Sequence, residues 1–370
     1  MIKGFATPEG TAAYKSRFTH LAEGHFRQRQ GLWFSSIGCG SYLGELDKET
    51  DRGYEASLKE ALLCGINVVD TAINYRAQRS ERAFGRALTE LVQDGKVKRE
   101  EVIICTKGGF IPYDGEYPED PAAYLQEAFL NPGLLKPHDI VAGCHAMTPA
   151  YIENQIEQSL RNLNLETIDI YYLHNPETQL SEIDRTDFHR RLREVFELLE
   201  MKVKQGVIRM YGTATWTGYR VGHDAKDFLD LEDILIAARE DVGAHHHFQA
   251  LQLPYNLAMP EAWILPNQHY GGHHLPLFQL AEKSKMVVVG SASLLQARLI
   301  HHFPEFLNSY FPGLLKPSQR SLQFARSGPG LTTALVGMKT KAHVLENIET
   351  AKVPLLKEED LVLMFQKKER

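Results

Sequence analysis

Short apolar runs alternate with segments of helical period along almost the whole chain, and this alternation limits the possible folds more than any other feature. The runs fall at 34–39, 66–70, 102–107, 168–173, 207–211, 248–252, 286–290 and 333–336. They are rich in Val, Ile, Leu and aromatic residues without polar alternation, as expected of strands covered on both faces. Tyr54, Leu58, Ala61 and Leu62 mark one helix face between them, with Gly65 as its stop. Ile152, Ile156, Leu160 and Leu163 mark another, introduced by Thr148 as N-cap and Pro149 at the first helical position. Longer helices are expected over roughly 186–204 and 341–351. Eight strands, each followed by helical sequence, predict a closed (β/α)8 or TIM barrel, an α/β fold in one domain. The competing open, doubly wound sheet needs a Gly-rich fingerprint at its first strand–helix turn. Here that turn reads Gly38-Cys39-Gly40-Ser41-Tyr42-Leu43-Gly44, with the wrong spacing, and continues as loop.

Three segments lie outside the repeat. Residues 1–33 precede the first strand and are expected to cap the bottom of the barrel. Residues 108–147 form a long excursion after the third strand, with Gly108-Gly109, Tyr113, Tyr117 and a run of acids and prolines; a lid over the catalytic face is expected. Residues 257–275 read as a further loop. The formal charge is 41 − 47 = −6 without a long block of one sign, which argues against nucleic acid or an anionic membrane as partner. No apolar run reaches the length of a membrane span, and the first ten residues lack a signal-peptide layout. Cys39, Cys64, Cys105 and Cys144 are widely spaced and are expected to be buried, reduced thiols in a cytoplasmic protein.

In a barrel the chemistry sits at the carboxyl ends of the strands. Asp70 closes the second apolar run, and Tyr75 follows five residues on. Lys107 closes the third run, and His174 closes the fourth. Singly, each has an ordinary structural reading: a cap, a solvated strand end, a packing ring or a core histidine. Together they form a set able to move a proton to or from an oxygen. A free phenol has a pKa of about 10, and the Lys107 ammonium is expected to lower that value. Asp70 would pair with Lys107 and keep it protonated, while His174 would hydrogen-bond a substrate oxygen. Reduction of a carbonyl needs hydride at carbon, which no side chain gives, so a nicotinamide cofactor is implied.

The chain resembles the aldo-keto reductase superfamily over roughly residues 34–352. The resemblance is carried by Asn67-Val-Val-Asp70-Thr-Ala-Ile-Asn-Tyr75, by Ile104-Cys-Thr-Lys107, by Ile168-Asp-Ile-Tyr-Tyr-Leu-His174, and by Val336-Gly-Met-Lys-Thr340 through Glu346-Asn347. It implies reversible, metal-free reduction of an aldehyde or ketone with NAD(P)(H). Tyr75 would be the general acid, tuned by Lys107 and Asp70, and His174 would orient the carbonyl. It also implies a cofactor lying across the barrel mouth. Gly40, Ser41 and Asp70 would lie beside it, Gln252 and Thr215 at its carboxamide, and Ser291, Leu294, Gln296 and Arg298 along its pyrophosphate. Gly337, Met338, Lys339, Thr340, His343, Glu346 and Asn347 match the adenosine pocket, and Tyr42 and Trp216 the substrate pocket.

Some positions depart from the family pattern. Ala214-Thr215 stands where many members carry Ser-Asn, Ser291 replaces a stacking aromatic, and His343 aligns with the arginine that grips a 2′-phosphate. Lys339 offers a point charge in compensation, so NADP(H) is expected in preference to NAD(H). Members of the superfamily also serve as auxiliary subunits, as with potassium-channel β subunits, and a nicotinamide-binding sensor with little turnover is the alternative reading. His245-His246-His247, His273-His274 and His301-His302 raise a metal hypothesis, but they fall away from strand ends and are read as solvated surface.

Overall fold

The computed structural model describes residues 1–240 and 242–366. Eight parallel strands close into a barrel: β1 (Ile37–Gly40), β2 (Val68–Asp70), β3 (Ile103–Gly108), β4 (Ile168–His174), β5 (Ile208–Ala214), β6 (Phe248–Pro254), β7 (Val287–Ser291) and β8 (Thr333–Gly337). Each strand pairs with its neighbours in sequence, and β8 returns to β1. The outer ring holds α1 (Lys48–Leu63), α2 (Arg79–Gln93), α3 (Pro149–Leu163), α4 (Arg185–Lys204), α5 (Leu231–Arg239), α6 (Leu277–Lys283), α7 (Pro317–Arg326) and α8 (Lys341–Ala351). The (β/α)8 expectation therefore holds.

Local sequence explains the helix ends. Asp47 caps α1 by accepting the Thr50 N–H at 2.7 Å, a contact worth about 1 kcal/mol. Gly65, at φ +104°, supplies the turn after it. Thr148 occupies the N-cap of α3 but makes no capping bond; Pro149 at the first position carries that start.

Inside the barrel, Val68, Ile103, Ile170, Met210, Ala250 and Val287 form one apolar cluster with Ala6, Leu32 and Phe34. The last two come from an antiparallel hairpin, Phe26–Arg29 with Leu32–Ser35. This corrects the expected first strand, 34–39: residues 34 and 35 belong to the hairpin, and the barrel strand begins only at Ile37. Asn67 joins the two by accepting from the Ser35 N–H at 2.9 Å and donating to Trp33 O at 2.9 Å. Asp169 ties the same end together, accepting from Ala6 N, Ile104 N and Arg99.

Of the 108–147 excursion, expected as a lid, Phe110 lines the barrel mouth. Later residues pack beside α2 and α3, where Gly115 N donates to Ala77 O at 2.8 Å and Arg82 pairs with Asp114 at 2.6 Å. Phe129 packs on Tyr151 with ring centres 5.9 Å apart. The 257–275 loop contains a helical turn, Glu261–Ile264, and a second hairpin, Gln268–Tyr270 with His273–Leu275. All four cysteines are free; Cys39 and Cys105 are buried, Cys64 is half-buried, and Cys144 is exposed against expectation.

The β5–β6 seam is close-packed, and its register shifts between Phe248 and Ala250. A Cβ on Gly212 would stand 1.8 Å from Ala250 O. Backbone cannot step aside as a flexible side chain can, so Gly212→Ala should destabilise the fold by about 3 kcal/mol. A denaturant midpoint equal to that of the parent chain would contradict this.

Candidate active site

At the carboxyl mouth, β1, β2, β4 to β8 and the loops after them enclose a cavity of about 960 Å³. Asp70 ends β2 and Lys107 lies one residue before the end of β3; both are buried. Lys107 Nζ donates to Asp70 Oδ1 at 2.5 Å and to Thr71 O at 2.8 Å. The other carboxylate oxygen, Oδ2, accepts from Gln252 Nε2 at 2.8 Å. Tyr75 stands over this pair, its ring centre 4.8 Å from the ammonium. His174, ending β4, meets the Tyr75 ring edge-on at 5.7 Å. The four side chains thus converge at one wall of the cavity.

Their electrostatics follow from burial and from each other. Burial pulls the Lys107 ammonium down, but Asp70 and Tyr75 together raise it above its ordinary value. Burial raises the Asp70 carboxyl against the pull of Lys107 and Gln252. Tyr75 departs from expectation: the Lys107 charge does draw the phenol down, but burial outweighs it and the hydroxyl sits above its usual value. Tyr75 is therefore protonated at neutral pH. Burial, then the Lys107 charge, holds His174 well below the usual histidine range, so its ring is neutral.

His174 is braced from behind. Gln179 Nε2 donates to His145 Nδ1 at 2.9 Å, which leaves the proton on Nε2 to donate to His174 O at 2.8 Å. Phe110 fits between the two histidine rings, 5.1 Å from His145 and 5.0 Å from His174. After Tyr75 the chain turns through three successive left-handed residues, Arg76, Ala77 and Gln78, at φ 50°, 49° and 68°. Such a corner costs about 1–2 kcal/mol per residue and needs anchors. Arg76 supplies them: it donates to Glu45 O at 2.7 Å and pairs with Asp51 of α1 at 2.7 Å.

Gly40, Ser41, Tyr42, Thr215, Trp216 and Gln252 all line the cavity, as the sequence suggested. So do Ser291 at the end of β7, Leu294 and Gln296 on the loop after it, and Gly337, Lys339, His343, Glu346 and Asn347 around β8 and α8. Lys107 lies behind the wall and reaches the site through Asp70 and Tyr75. Three expected residues do not line it. Arg298 opens a short helix (Arg298–His301), Met338 is buried with its carbonyl accepting from Ser57, and Thr340 caps α8. Sequence reasoning missed Asn74, Phe110, and the start of α7 at Lys316, Pro317 and Ser318. Lys316 Nζ reaches Glu346 Oε2 at 2.6 Å, and Ser318 bonds the other oxygen. The signal was present as Pro317 after a polar residue, a helix start, but nothing local says that this start faces Glu346.

Three buried polar atoms on residues of this wall, Asn74 Oδ1, His174 Nδ1 and Thr215 Oγ1, have no hydrogen-bond partner. Unmet buried donors and acceptors are unfavourable by about 1–3 kcal/mol each, so these atoms are a local cost in the fold.

A closed eight-stranded barrel thus brings a phenol, a buried ammonium–carboxylate pair and an imidazole together beside one cavity at its carboxyl mouth. The sequence model of the Aldo/keto reductase family matches residues 36–231, and the chain belongs to that family. It is 22% identical to a putative voltage-gated potassium channel subunit beta of Schizosaccharomyces pombe, over 92% of this chain and 93% of that one. It is 24% identical to the uncharacterized oxidoreductase YqkF of Bacillus subtilis, over 88% and 89% of the two chains. Among solved structures it resembles an aldo/keto reductase from Klebsiella pneumoniae in complex with NADP and acetate, with a TM-score of 0.61, 21% identity, and coverage of 93% and 94%. Among the described residues, no helix is long and apolar enough to cross a membrane.

Proposed function

We propose that the chain reversibly reduces an aldehyde or ketone with a nicotinamide cofactor, Tyr75 serving as general acid. The observation that carries this reading is the Tyr75 phenol held beside the Lys107–Asp70 pair and the His174 ring at the cavity wall. A nicotinamide supplies the hydride that no side chain can. The chain's own groups supply the rest. His174, neutral, hydrogen-bonds the carbonyl oxygen without competing for the proton. Tyr75 gives its proton to that oxygen as negative charge develops there, and the Lys107 ammonium stabilises the phenolate left behind. Asp70 holds Lys107 charged and in place. Tyr42 and Trp216, both partly exposed at the rim, present apolar surface to the substrate.

The residues fit such a cofactor. Gln252, with one N–H committed to Asp70, keeps its amide oxygen for a carboxamide, and the orphaned Thr215 hydroxyl follows the end of β5, the strand paired with that of His174. At the far end, Lys339 offers a cation and His343 a ring nitrogen, which supports NADP(H) over NAD(H); the NADP of the Klebsiella neighbour accords with this. Titration of NADPH and NADH against protein fluorescence tests it. NADPH should bind at least about tenfold more tightly, and Lys339→Ala should erase most of that difference. Equal binding of the two would overturn the preference, and binding of neither would overturn the reading.

The similarity to a channel-subunit relative motivates a second reading, in which the barrel binds nicotinamide and serves as an auxiliary subunit. Oxidation of NADPH by a panel of simple aldehydes separates the two: turnover supports the enzyme, and tight binding without turnover supports the subunit.

A further inference from the structure

Three histidines meet on the surface away from the phenol. His223 lies in the loop after β5, and His269 and His274 lie on the hairpin of the loop after β6. All three are exposed, and one ligating nitrogen from each lies within 4.8 Å of the others. The other histidine runs, 245–247 and 301–302, form no such group among the described residues.

We propose that His223, His269 and His274 form a site for a borderline divalent transition ion of the zinc class, and that the ion staples the two loops together. Three features of the scaffold point to this. His269 and His274 are directly opposed partners in an antiparallel pair, so both side chains leave the same face of the hairpin. His223 is brought to them by a fixed loop: Asn267 Nδ2 donates to Tyr219 O at 2.9 Å and to Val221 O at 2.7 Å, and Arg220 pairs with Glu261 at 3.0 Å. Lastly, His269 Nδ1 bonds the buried Asp230 carboxylate, which also accepts the Glu232 N–H at 2.9 Å as the cap of α5. With Nδ1 bonded to that carboxylate, Nε2 is the His269 nitrogen left to meet an ion. This is the outer-shell partnership that orients and strengthens a metal-bound imidazole.

The metal class follows from the donors. Three imidazole ligands suit zinc, nickel or copper, whereas magnesium and calcium prefer oxygen. Around a tetrahedral ion with bonds of about 2.1 Å, donors stand about 3.4 Å apart. Closing from 4.8 Å needs only small rotations of exposed rings. A fourth position would stay open to water. The two joined loops begin at Thr215 and Tyr255, just past the strand ends that frame the Gln252 side of the mouth. The ion would therefore stiffen that rim without touching the proton-transfer groups. It is independent of the reductase reading and can fail alone.

Untagged protein titrated with Zn2+ by calorimetry, and with Co2+ by visible absorption, tests the proposal. One equivalent should bind, with the strong visible bands of low-coordinate cobalt, and the thermal midpoint should rise. His223→Ala/His274→Ala should weaken binding at least a hundredfold and abolish both the bands and the shift, while Mg2+ should have no effect on either protein. Metal-free melts of both proteins would establish that the variant is folded. Equal titrations of parent and variant would send the metal to other histidines and overturn the site. Weak, six-coordinate cobalt spectra, or no uptake by the parent, would do the same.

Discussion

Tyr75→Phe is expected to lower kcat for aldehyde reduction by about a hundred- to ten-thousandfold, the range supplied by a positioned acid. Its affinity for NADPH should stay within about twofold of the parent, because the ring remains. The ring's contacts with Tyr42, at 5.0 Å, and with His174 do not involve the hydroxyl, so the wall keeps its shape. The loss should therefore appear in the chemical step and not in binding. Single-turnover measurements with saturating NADPH read the two separately. A variant that reduces the aldehyde at the parent rate would show that the proton comes from elsewhere.

Lys107→Met is expected to cost at least as much activity and, unlike the tyrosine change, stability as well. Removing the ammonium strands the Asp70 carboxylate in a buried site; breaking such a pair costs about 3–5 kcal/mol unless the survivor takes a proton. Asp70, already raised by burial, would take one, and Gln252 would still hold its other oxygen. Stability should thus fall toward the lower end of that range, while the phenolate loses the cation 4.8 Å from its ring centre. The pH profile carries the sign. Reduction needs the protonated phenol, which persists up to its raised pKa, so the parent rate should be flat through neutrality and fall only in strong alkali. In the variant the charge that draws the phenol down is gone, and the falling limb should move further toward alkaline pH. Asp70→Asn should do less harm, since an amide oxygen can still meet Lys107. A limb that moves toward neutral pH, or parent-like kcat, would contradict the role given to Lys107.

The barrel was legible in the sequence because strands covered on both faces leave unbroken apolar runs whose final residues mark the mouth. Asp70, Lys107 and His174 could be placed there without coordinates. A change of partner inside one apolar run was not legible. Leu32–Ser35 pairs with a hairpin strand and Ile37–Gly40 with the barrel, and only Ser36 separates them. Nor was the path of the 108–147 segment, whose prolines and aromatics suit a lid and a flank equally. The Lys316–Glu346 contact spans thirty residues and two helices, beyond any local pattern. The Tyr75 phenol shows the same limit in electrostatics: the spacing revealed its charged neighbour, whereas its burial depends on the entire wall.

The left-handed corner after Tyr75 joins the reactive end of the molecule to its outside. Arg76 transmits the grip of Asp51, and Asp51 also takes Arg79 at 2.6 Å, so one carboxylate on an outer helix steadies both flanks of the corner. The phenol is thus mounted like a fixture bolted through from the far side of a wall. Sequence drift on that outer helix is constrained by what happens inside the mouth, although Asp51 itself does not line the cavity.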